Sequence, residues 1–192
     1  MGEEKMRWFV ALVLIYAGSA AAQSINYETE GNLAPTHRVG CVPLGEAENA
    51  WSPADLAQGV LACFKSRQDD AAVDLLILMN ARGIFDQARV ADRTAHQGLQ
   101  VLSSQIGQAA GRKWEPRMQS AFQRFGGAGS ERHKAMCRFL RSSGPPSHSP
   151  RYMIQHGMRA VLGQQGDGLV EGFSPDDEWR SVLSGYANCS GQ

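Results

Sequence analysis

Apolar residues recur three and four positions apart through most of the chain beyond residue 51, and this helical spacing constrains the fold more than any other feature. The segment VDLLILM at 73–79 is apolar on nearly all sides, which is typical of a helix at the centre of a core. Near the C-terminus the same spacing returns in Trp179, Val182, Leu183 and Tyr186. Patterns typical of β-strands are scarce. The sequence therefore predicts an all-α fold, a compact bundle of about six or seven helices with an irregular N-terminal arm and two disulfides.

Two Ser-Pro pairs mark helix starts most clearly. Ser52 and Ser174 are each followed by proline and by an aspartate within the first turn, which suits an N-cap, a first helical position and the helix dipole. A second helix is expected to open at Asp69 and to end at Gly83. Further helices are expected at 86–110, 115–125, 130–141 and 152–162.

The N-terminus resembles an export signal. An uninterrupted apolar run extends from Trp8 to Gly18, and Ser19 with three alanines follows it. The run is shorter than the roughly 20 apolar residues that cross a bilayer, and the alanines form an A-x-A cleavage pattern. We therefore predict a signal peptide that is cleaved after Ala22. Translation from Met6 instead of Met1 would give this signal peptide a positively charged N-terminus. The alternative to a cleaved signal peptide is an uncleaved membrane anchor.

The remainder divides into two parts. Residues 23–51 are polar and broken by glycines and prolines, so we expect an irregular arm that only Cys41 holds in place. Residues 52–192 form the helical domain. The predicted location is outside the cytoplasm, periplasmic or secreted, with no stable membrane span after cleavage of residues 1–22.

The four cysteines, Cys41, Cys63, Cys137 and Cys189, all follow the predicted cleavage site. Their even number, the absence of a C-x-x-C motif and the export signal favour disulfides over zinc, so no metal site is predicted. Four cysteines allow three pairings. We favour Cys41–Cys63, which would tie the arm to a helix, and Cys137–Cys189, which would pin the last helix. Buried free thiols are the alternative.

Charge is unevenly distributed along a chain whose formal net charge is +0. Residues 112–160 contain ten Lys or Arg but only two acids, whereas both flanking segments are acidic. In one hypothesis these charges pair across helices in the folded domain. In the other, a basic face binds an anionic partner, and Arg132, Lys134, Arg138 and Arg141 are the binding residues. Nucleic acid is not the expected partner, because no basic motif is interleaved with aromatic residues.

Acid–base chemistry has few candidates, because common hydrolase, phosphate-loop and metalloprotease motifs are absent. His148, Tyr152, His156 and Asp167 lie close together in the sequence, and Tyr152 and His156 are spaced to share one helical face. With an acid as orienting group, they would supply a general base. His96 is expected to be a hydrogen-bonded core or rim histidine. No cofactor is predicted.

These features favour an exported helical binding module that docks on a partner protein or an anionic envelope component, as an inhibitor or immunity-type protein would. The alternative is an envelope enzyme with a Tyr/His/Asp acid–base site in the 148–167 stretch. A carrier that holds a small ligand between helices is a third hypothesis, which rests only on the methionines and phenylalanines on helical faces.

Overall fold

The computed structural model describes residues 29–189, so the predicted signal peptide and its cleavage site lie outside the described residues. Within this range the chain forms helices and loops but no strands, apart from one isolated bridge between Val90 and Leu169. The eight α-helices are α1 (Pro53–Lys65), α2 (Asp69–Arg89), α3 (Gly98–Ala110), α4 (Trp114–Phe125), α5 (Glu131–Ser143), α6 (Arg151–Ile154), α7 (Met158–Val161) and α8 (Pro175–Gly185). The predicted all-α bundle is therefore confirmed, and α6 and α7 are single turns.

Helix α1 begins where the sequence indicates. The hydroxyl of Ser52 accepts a hydrogen bond from the N–H of Asp55 (3.2 Å), and the Asp55 carboxylate accepts one from the N–H of Ser52 (2.8 Å). This reciprocal pair satisfies two backbone donors that a helix start leaves unpaired. At the start of α8 the arrangement differs, because the Ser174 hydroxyl donates to the carboxylate of Asp177 (2.6 Å) and accepts no backbone hydrogen bond.

Helix α2 is the centre of the core, and it continues through Gly83 to Arg89. Leu75 and Leu78 on its inner face are fully buried. The prediction that Gly83 ends this helix was wrong, because the glycine serves a helix crossing. A Cβ atom at this position would lie 2.4 Å from Cδ1 of Leu99, so the missing side chain lets α3 approach α2 closely.

The third helix begins later than predicted, at Gly98 and not at residue 86. Between α2 and α3 the chain leaves the helical path, and the Asp92 carboxylate accepts the N–H of Thr94 (2.9 Å) at the start of a 3-10 helix, Arg93–Gln97. Short polar side chains favour such local hydrogen bonds over a continuous helix.

The predicted helix over 152–162 is likewise divided, into α6 and α7. The N–H of Met158 donates to the Thr94 hydroxyl (2.8 Å), and the N–H of Arg159 donates to the Asp92 carboxylate (2.8 Å). These bonds dock the start of α7 on the segment before α3, so it does not continue the axis of α6.

The described part of the arm, residues 29–51, is irregular as predicted but is held at several points. The N–H of Leu33 donates to the carbonyl of Tyr152 (3.0 Å), and the Asn49 amide donates to the carbonyls of Ser143 (3.1 Å) and Pro145 (2.9 Å). The expectation that Cys41 alone holds the arm was wrong, because these hydrogen bonds join residues far apart in the sequence.

A buried arginine fixes the last part of the arm. The guanidinium of Arg82 donates to the carbonyls of Glu48 (2.9 Å) and Trp51 (2.6 Å), and its side chain is almost fully buried. Burial lowers the pKa of Arg82 to about 10, although the charges of Asp86 and Asp55 oppose this effect. The arm carbonyls thus take the place of water around a buried cation.

Two disulfides join Cys41 to Cys63 and Cys137 to Cys189, and no described cysteine is free. These are the two pairs that the sequence favours. The first ties the arm to α1, and the second ties α5 to the segment after α8. Paired cysteines are typical of an oxidising compartment. In residues 29–189, no helix has both the length and the apolar character needed to cross a membrane.

Candidate functional site

Asp86 is the centre of a buried polar cluster near the end of α2. One carboxylate oxygen accepts hydrogen bonds from the Tyr152 hydroxyl (2.8 Å) and from Nε2 of His148 (2.8 Å). The other accepts a hydrogen bond from Nε of Arg89 (2.8 Å). Two of the four acid–base candidates therefore do meet at a carboxylate. That carboxylate belongs to Asp86, which the sequence analysis did not single out.

Asp86, His148 and Tyr152 of this cluster are buried. Burial, and then the charge of Asp86, raise the pKa of Tyr152 well above its ordinary value, so this hydroxyl stays protonated. Nδ1 of His148 is buried and has no hydrogen-bond partner among the described residues. A general acid or base must reach the group with which it exchanges a proton. The hydrogen bonds of this cluster hold α6 and the loop before it against α2.

The other two candidates lie elsewhere. Nδ1 of His156 is 2.9 Å from the side-chain oxygen of Asn32 in the arm, and burial lowers the pKa of this histidine. Asp167 is exposed, and its carboxylate accepts the N–H of Leu169 (3.0 Å). The predicted pairing of Tyr152 and His156 on one helical face is not formed, because the helix ends at Ile154.

His96 is satisfied by a hydrogen bond, as predicted. Its Nε2 lies 2.9 Å from the carbonyl oxygen of Val90, and the residue is partly buried. It belongs to the 3-10 helix, not to the middle of an α-helix.

A cavity of 500 Å³ lies beside the Asp86 cluster, and Asp167 is part of its wall. Its walls combine aromatic, aliphatic and charged residues: Phe85, Arg89, Pro146, Asp167, Leu169, Val170, Glu171, Gly172, Phe173 and Pro175. The guanidinium of Arg89 is held by Asp86 and by the carbonyl of His148 (2.8 Å). Neither His148 nor Tyr152 lines the cavity. The described walls therefore hold no histidine or tyrosine for proton transfer.

Much of the basic segment is paired within the fold. Arg117 of α4 forms an ion pair with Asp69 of α2, and Arg124 forms one with Asp70 (2.8 Å). Arg132 of α5 lies 2.7 Å from Asp74. Burial raises the pKa of Asp74, and the charge and hydrogen bond of Arg132 oppose that rise. The acidic start of α2 thus interleaves with basic helices α4 and α5.

The four proposed binding residues of α5 therefore differ in their surroundings. Arg132 pairs with α2, Lys134 pairs with Glu131 (3.0 Å), and Arg141 donates to the carbonyl of Cys189. Arg138 is exposed and forms no ion pair with a described residue. Reversing the charge of Arg132 would place two carboxylate-bearing helices against each other, so Arg138 is the informative position for testing a basic binding face.

His133 lies beside the Cys137–Cys189 disulfide, and all three residues are buried. Nδ1 of His133 accepts the N–H of Gly129 (3.0 Å), so Nε2 carries the proton and donates to the carbonyl of Ala187 (2.8 Å). Nε2, which lies 3.6 Å from the Cys137 sulfur, therefore has no lone pair to offer a metal. This arrangement supports a structural role for His133. The spacing of His133 and Cys137, four residues apart on a helix, is visible in the sequence.

A second hollow, an open groove of 230 Å³, runs between α1 and α3. Its lining is almost entirely apolar: Leu33, Pro35, Ala54, Ala57, Gln58, Leu61, Leu102, Gln105, Ile106 and Ala109. We call this feature the α1–α3 groove. Six of its ten lining residues are partly or fully exposed, so it is a shallow surface feature and not an internal void.

The walls of the α1–α3 groove lack charge. The 18 residues from Thr94 to Gly111, which include all of α3, contain no Asp, Glu, Lys or Arg. Helix α1 has two charged residues, the buried Asp55 and the terminal Lys65. Depletion of charge at the centre of a surface patch is characteristic of protein–protein interfaces. This uncharged stretch is a sequence signal for the groove that the analysis of motifs and basic residues passed over.

Comparisons with protein-family models, curated proteins and solved structures find no match to this chain.

Proposed function

We propose that this chain is an exported helical binding module that docks on a partner protein through the α1–α3 groove. The observation that carries the proposal is an open apolar groove whose two helical walls present no charged side chain between their ends. Apolar surface of this kind gains free energy when a partner removes it from water. Docking also agrees with a fold in which Asp86, His148 and Tyr152 are buried.

The proposal includes export. A cleavable signal peptide ending at Ala22 would deliver the chain to the periplasm or the medium, where both disulfides could form and persist. Mass spectrometry of the mature protein tests this part. A chain that starts at Gln23 and carries both disulfides supports it, and a chain that retains residues 8–22 contradicts it.

Position-specific photo-crosslinking tests the docking site. A photoreactive residue replaces Gln105 in the α1–α3 groove or, as a matched control, Gln123, an exposed residue of α4 outside the groove. We expect a discrete crosslinked partner in the native exported fraction from position 105 only. The substitution Leu61→Glu, at a half-exposed groove position, should abolish it while leaving the helical circular dichroism unchanged. Equal crosslinking at both positions, or none at position 105, would contradict the proposal.

The acid–base alternative has less support from the geometry. His148 and Tyr152 do converge on Asp86, but none of the three lines the adjacent 500 Å³ cavity. An enzyme that used them would need the loop before α6 to open, which breaks the hydrogen bond from Arg89 to the His148 carbonyl.

A further inference from the structure

We infer that the partner segment in the α1–α3 groove is an amphipathic helix that carries acidic side chains in its first turn, running antiparallel to α1. This inference rests on the proposed function, because it specifies the chemistry of the partner at the same groove. The chemistry follows from the shape of the groove, its uncharged walls and the basic residues at one end.

The shape of the groove fits two turns of a helix. On α1 the lining residues Ala54, Ala57 and Leu61 follow the i, i+3, i+7 spacing of one helical face. Seven residues at about 1.5 Å each span about 10 Å. A groove of this length accepts the apolar stripe of another helix, which repeats with the same period. A drug-sized ligand is normally enclosed on most of its surface, and this shallow groove would leave one exposed.

The uncharged walls of the groove determine the polarity of the partner face that can enter it. A charged side chain laid between α1 and α3 would lose its hydration and find no counter-ion there. The side-chain amide of Gln58 is already bonded to the carbonyl of His37 (2.8 Å), whereas the side chain of Gln105 is exposed and forms no hydrogen bond with a described residue. The face of the partner that enters the groove must therefore be apolar, with at most polar contacts at the rim.

One end of the groove is basic. Lys65 lies one helical turn beyond Leu61 on the same face of α1, and Arg112 and Lys113 follow Ala109, the last lining residue of α3. The ring centroids of Phe64 and Trp114 are 5.1 Å apart, which places the end of α1 beside the start of α4, directly after Lys113.

These three basic side chains are available to a partner. Lys65, Arg112 and Lys113 are exposed, and none forms an ion pair within residues 29–189. Glu115, the acid nearest in sequence to Lys113, is exposed and also unpaired in this range. Asp55 lies near the other end, but it is buried and its carboxylate is bonded to the arm. The charges outside the groove therefore favour acids at one end of the partner.

The direction of the partner follows from helix electrostatics. Acidic side chains stabilise the N-terminal turn of their own helix. A partner helix whose acidic side chains lie over Lys65 is therefore stabilised twice when its first turn lies at that end, once by the charge of Lys65 and once by its own helix dipole. Because α1 ends at Lys65, such a helix runs antiparallel to α1.

A pair of synthetic peptides tests this inference on the mature, disulfide-bonded chain. Each is a helix of about 15 residues with leucines at i, i+3 and i+7, and the two differ only in carrying Glu or Lys in the first turn. We expect fluorescence anisotropy to show about tenfold tighter binding of the Glu peptide at low salt, with the preference shrinking as salt rises. The double substitution Lys65→Glu and Arg112→Glu should reverse the preference. Arg180→Glu, a charge reversal at an exposed residue of α8, should leave it unchanged.

Other outcomes overturn the inference. Equal binding of the two peptides, or binding of neither, contradicts an acidic amphipathic helix as the occupant. If decanoate binds the groove more tightly than either peptide, and neither peptide displaces it, the groove is assigned to a small amphiphile. Failure of the docking site itself is distinguishable, because it would also remove the crosslink at position 105. If the crosslinked partner is lost with Leu61→Glu but kept with Lys65→Glu and Arg112→Glu, the proposed function stands and this inference falls.

Discussion

Asp55 joins the arm to the start of α1 through one buried carboxylate. It accepts hydrogen bonds from the N–H groups of Thr36 (2.6 Å) and His37 (2.7 Å) in the arm, and from the N–H and hydroxyl of Ser52 at the start of α1. Burial acts to raise the pKa of this carboxyl, but the hydrogen bonds from His37 and Ser52 outweigh burial, so the pKa is lowered. The charged form is therefore part of the folded state.

We predict that Asp55→Asn lowers the free energy of unfolding by about 3 kcal/mol at neutral pH, because the amide turns an N–H donor toward donors that need an acceptor. The lowered pKa means that the charged carboxylate stabilises the fold above the pKa of the unfolded chain. This stabilisation is lost as pH falls through the folded pKa. Urea unfolding of the wild type and the variant should therefore give a difference that shrinks below about pH 4.

Asp177→Asn is the matched control for that prediction. Asp177 is exposed and pairs with Arg180 on the same helix, where solvent screens the pair, so its loss should leave the free energy of unfolding nearly unchanged. An Asp55→Asn variant as stable as the control would show that the arm does not depend on this carboxylate.

At the scale of the elements, the crossing of α2 and α3 depends on one missing side chain. Gly83 lies within α2, where alanine has the higher helix propensity, yet a Cβ there would come within 2.7 Å of both methyl carbons of Leu99. Two physical effects therefore oppose each other at this position, and the clash is the larger one because Leu99 is itself packed in the core.

We predict that Gly83→Ala destabilises the wild-type protein by about 1–3 kcal/mol but stabilises a Leu99→Ala background, where the clash is gone. Thermal unfolding of both single variants and the double variant measures this coupling. Gly107→Ala is the control, since a Cβ at that glycine of α3 would make ordinary contact with Trp114 at 3.5 Å and should not destabilise. The same sign of effect in both backgrounds would contradict the packing account of Gly83.

Ser52, Gly83 and Asp86 together show which parts of this structure the sequence predicts and which it does not. Local chemistry predicted the start of α1 at Ser52, because the hydroxyl, proline and carboxylate that form the cap lie within four residues. The role of Gly83 depends on Leu99, and two of the partners of Asp86 lie 62 and 66 residues away, so neighbours in sequence do not reveal either. The α1–α3 groove was similarly hidden, because its walls come from separate segments.

At the scale of the whole molecule, the two disulfides close loops of different length. Cys41 and Cys63 are separated by 22 residues, and Cys137 and Cys189 by 52. The longer loop loses more conformational freedom in the unfolded chain when it is closed, so its bond should stabilise the fold more.

We predict that replacing Cys137 and Cys189 by serine lowers the free energy of unfolding by about 4 kcal/mol, and that replacing Cys41 and Cys63 lowers it by about 3 kcal/mol. Denaturant unfolding of the two double variants under oxidising conditions measures both values. A larger loss from the shorter loop would show that the attachment of the arm to α1 contributes more than loop closure alone.

The first described residues of the arm contact the segment around α6. Leu33 bonds to Tyr152, Asn32 lies against His156, and Thr29 donates to the carbonyl of Gln155, 126 residues further along. A chain made from its N-terminus exposes residues 29–33 long before residues 152–156, so this first part of the arm stays undocked until that segment has been made. The Cys41–Cys63 bond can form early from neighbouring segments, whereas Cys137 must wait until Cys189 has been made. Pulse-labelled chains should therefore pass through a species that carries the first disulfide alone, with residues 29–33 still open to proteases.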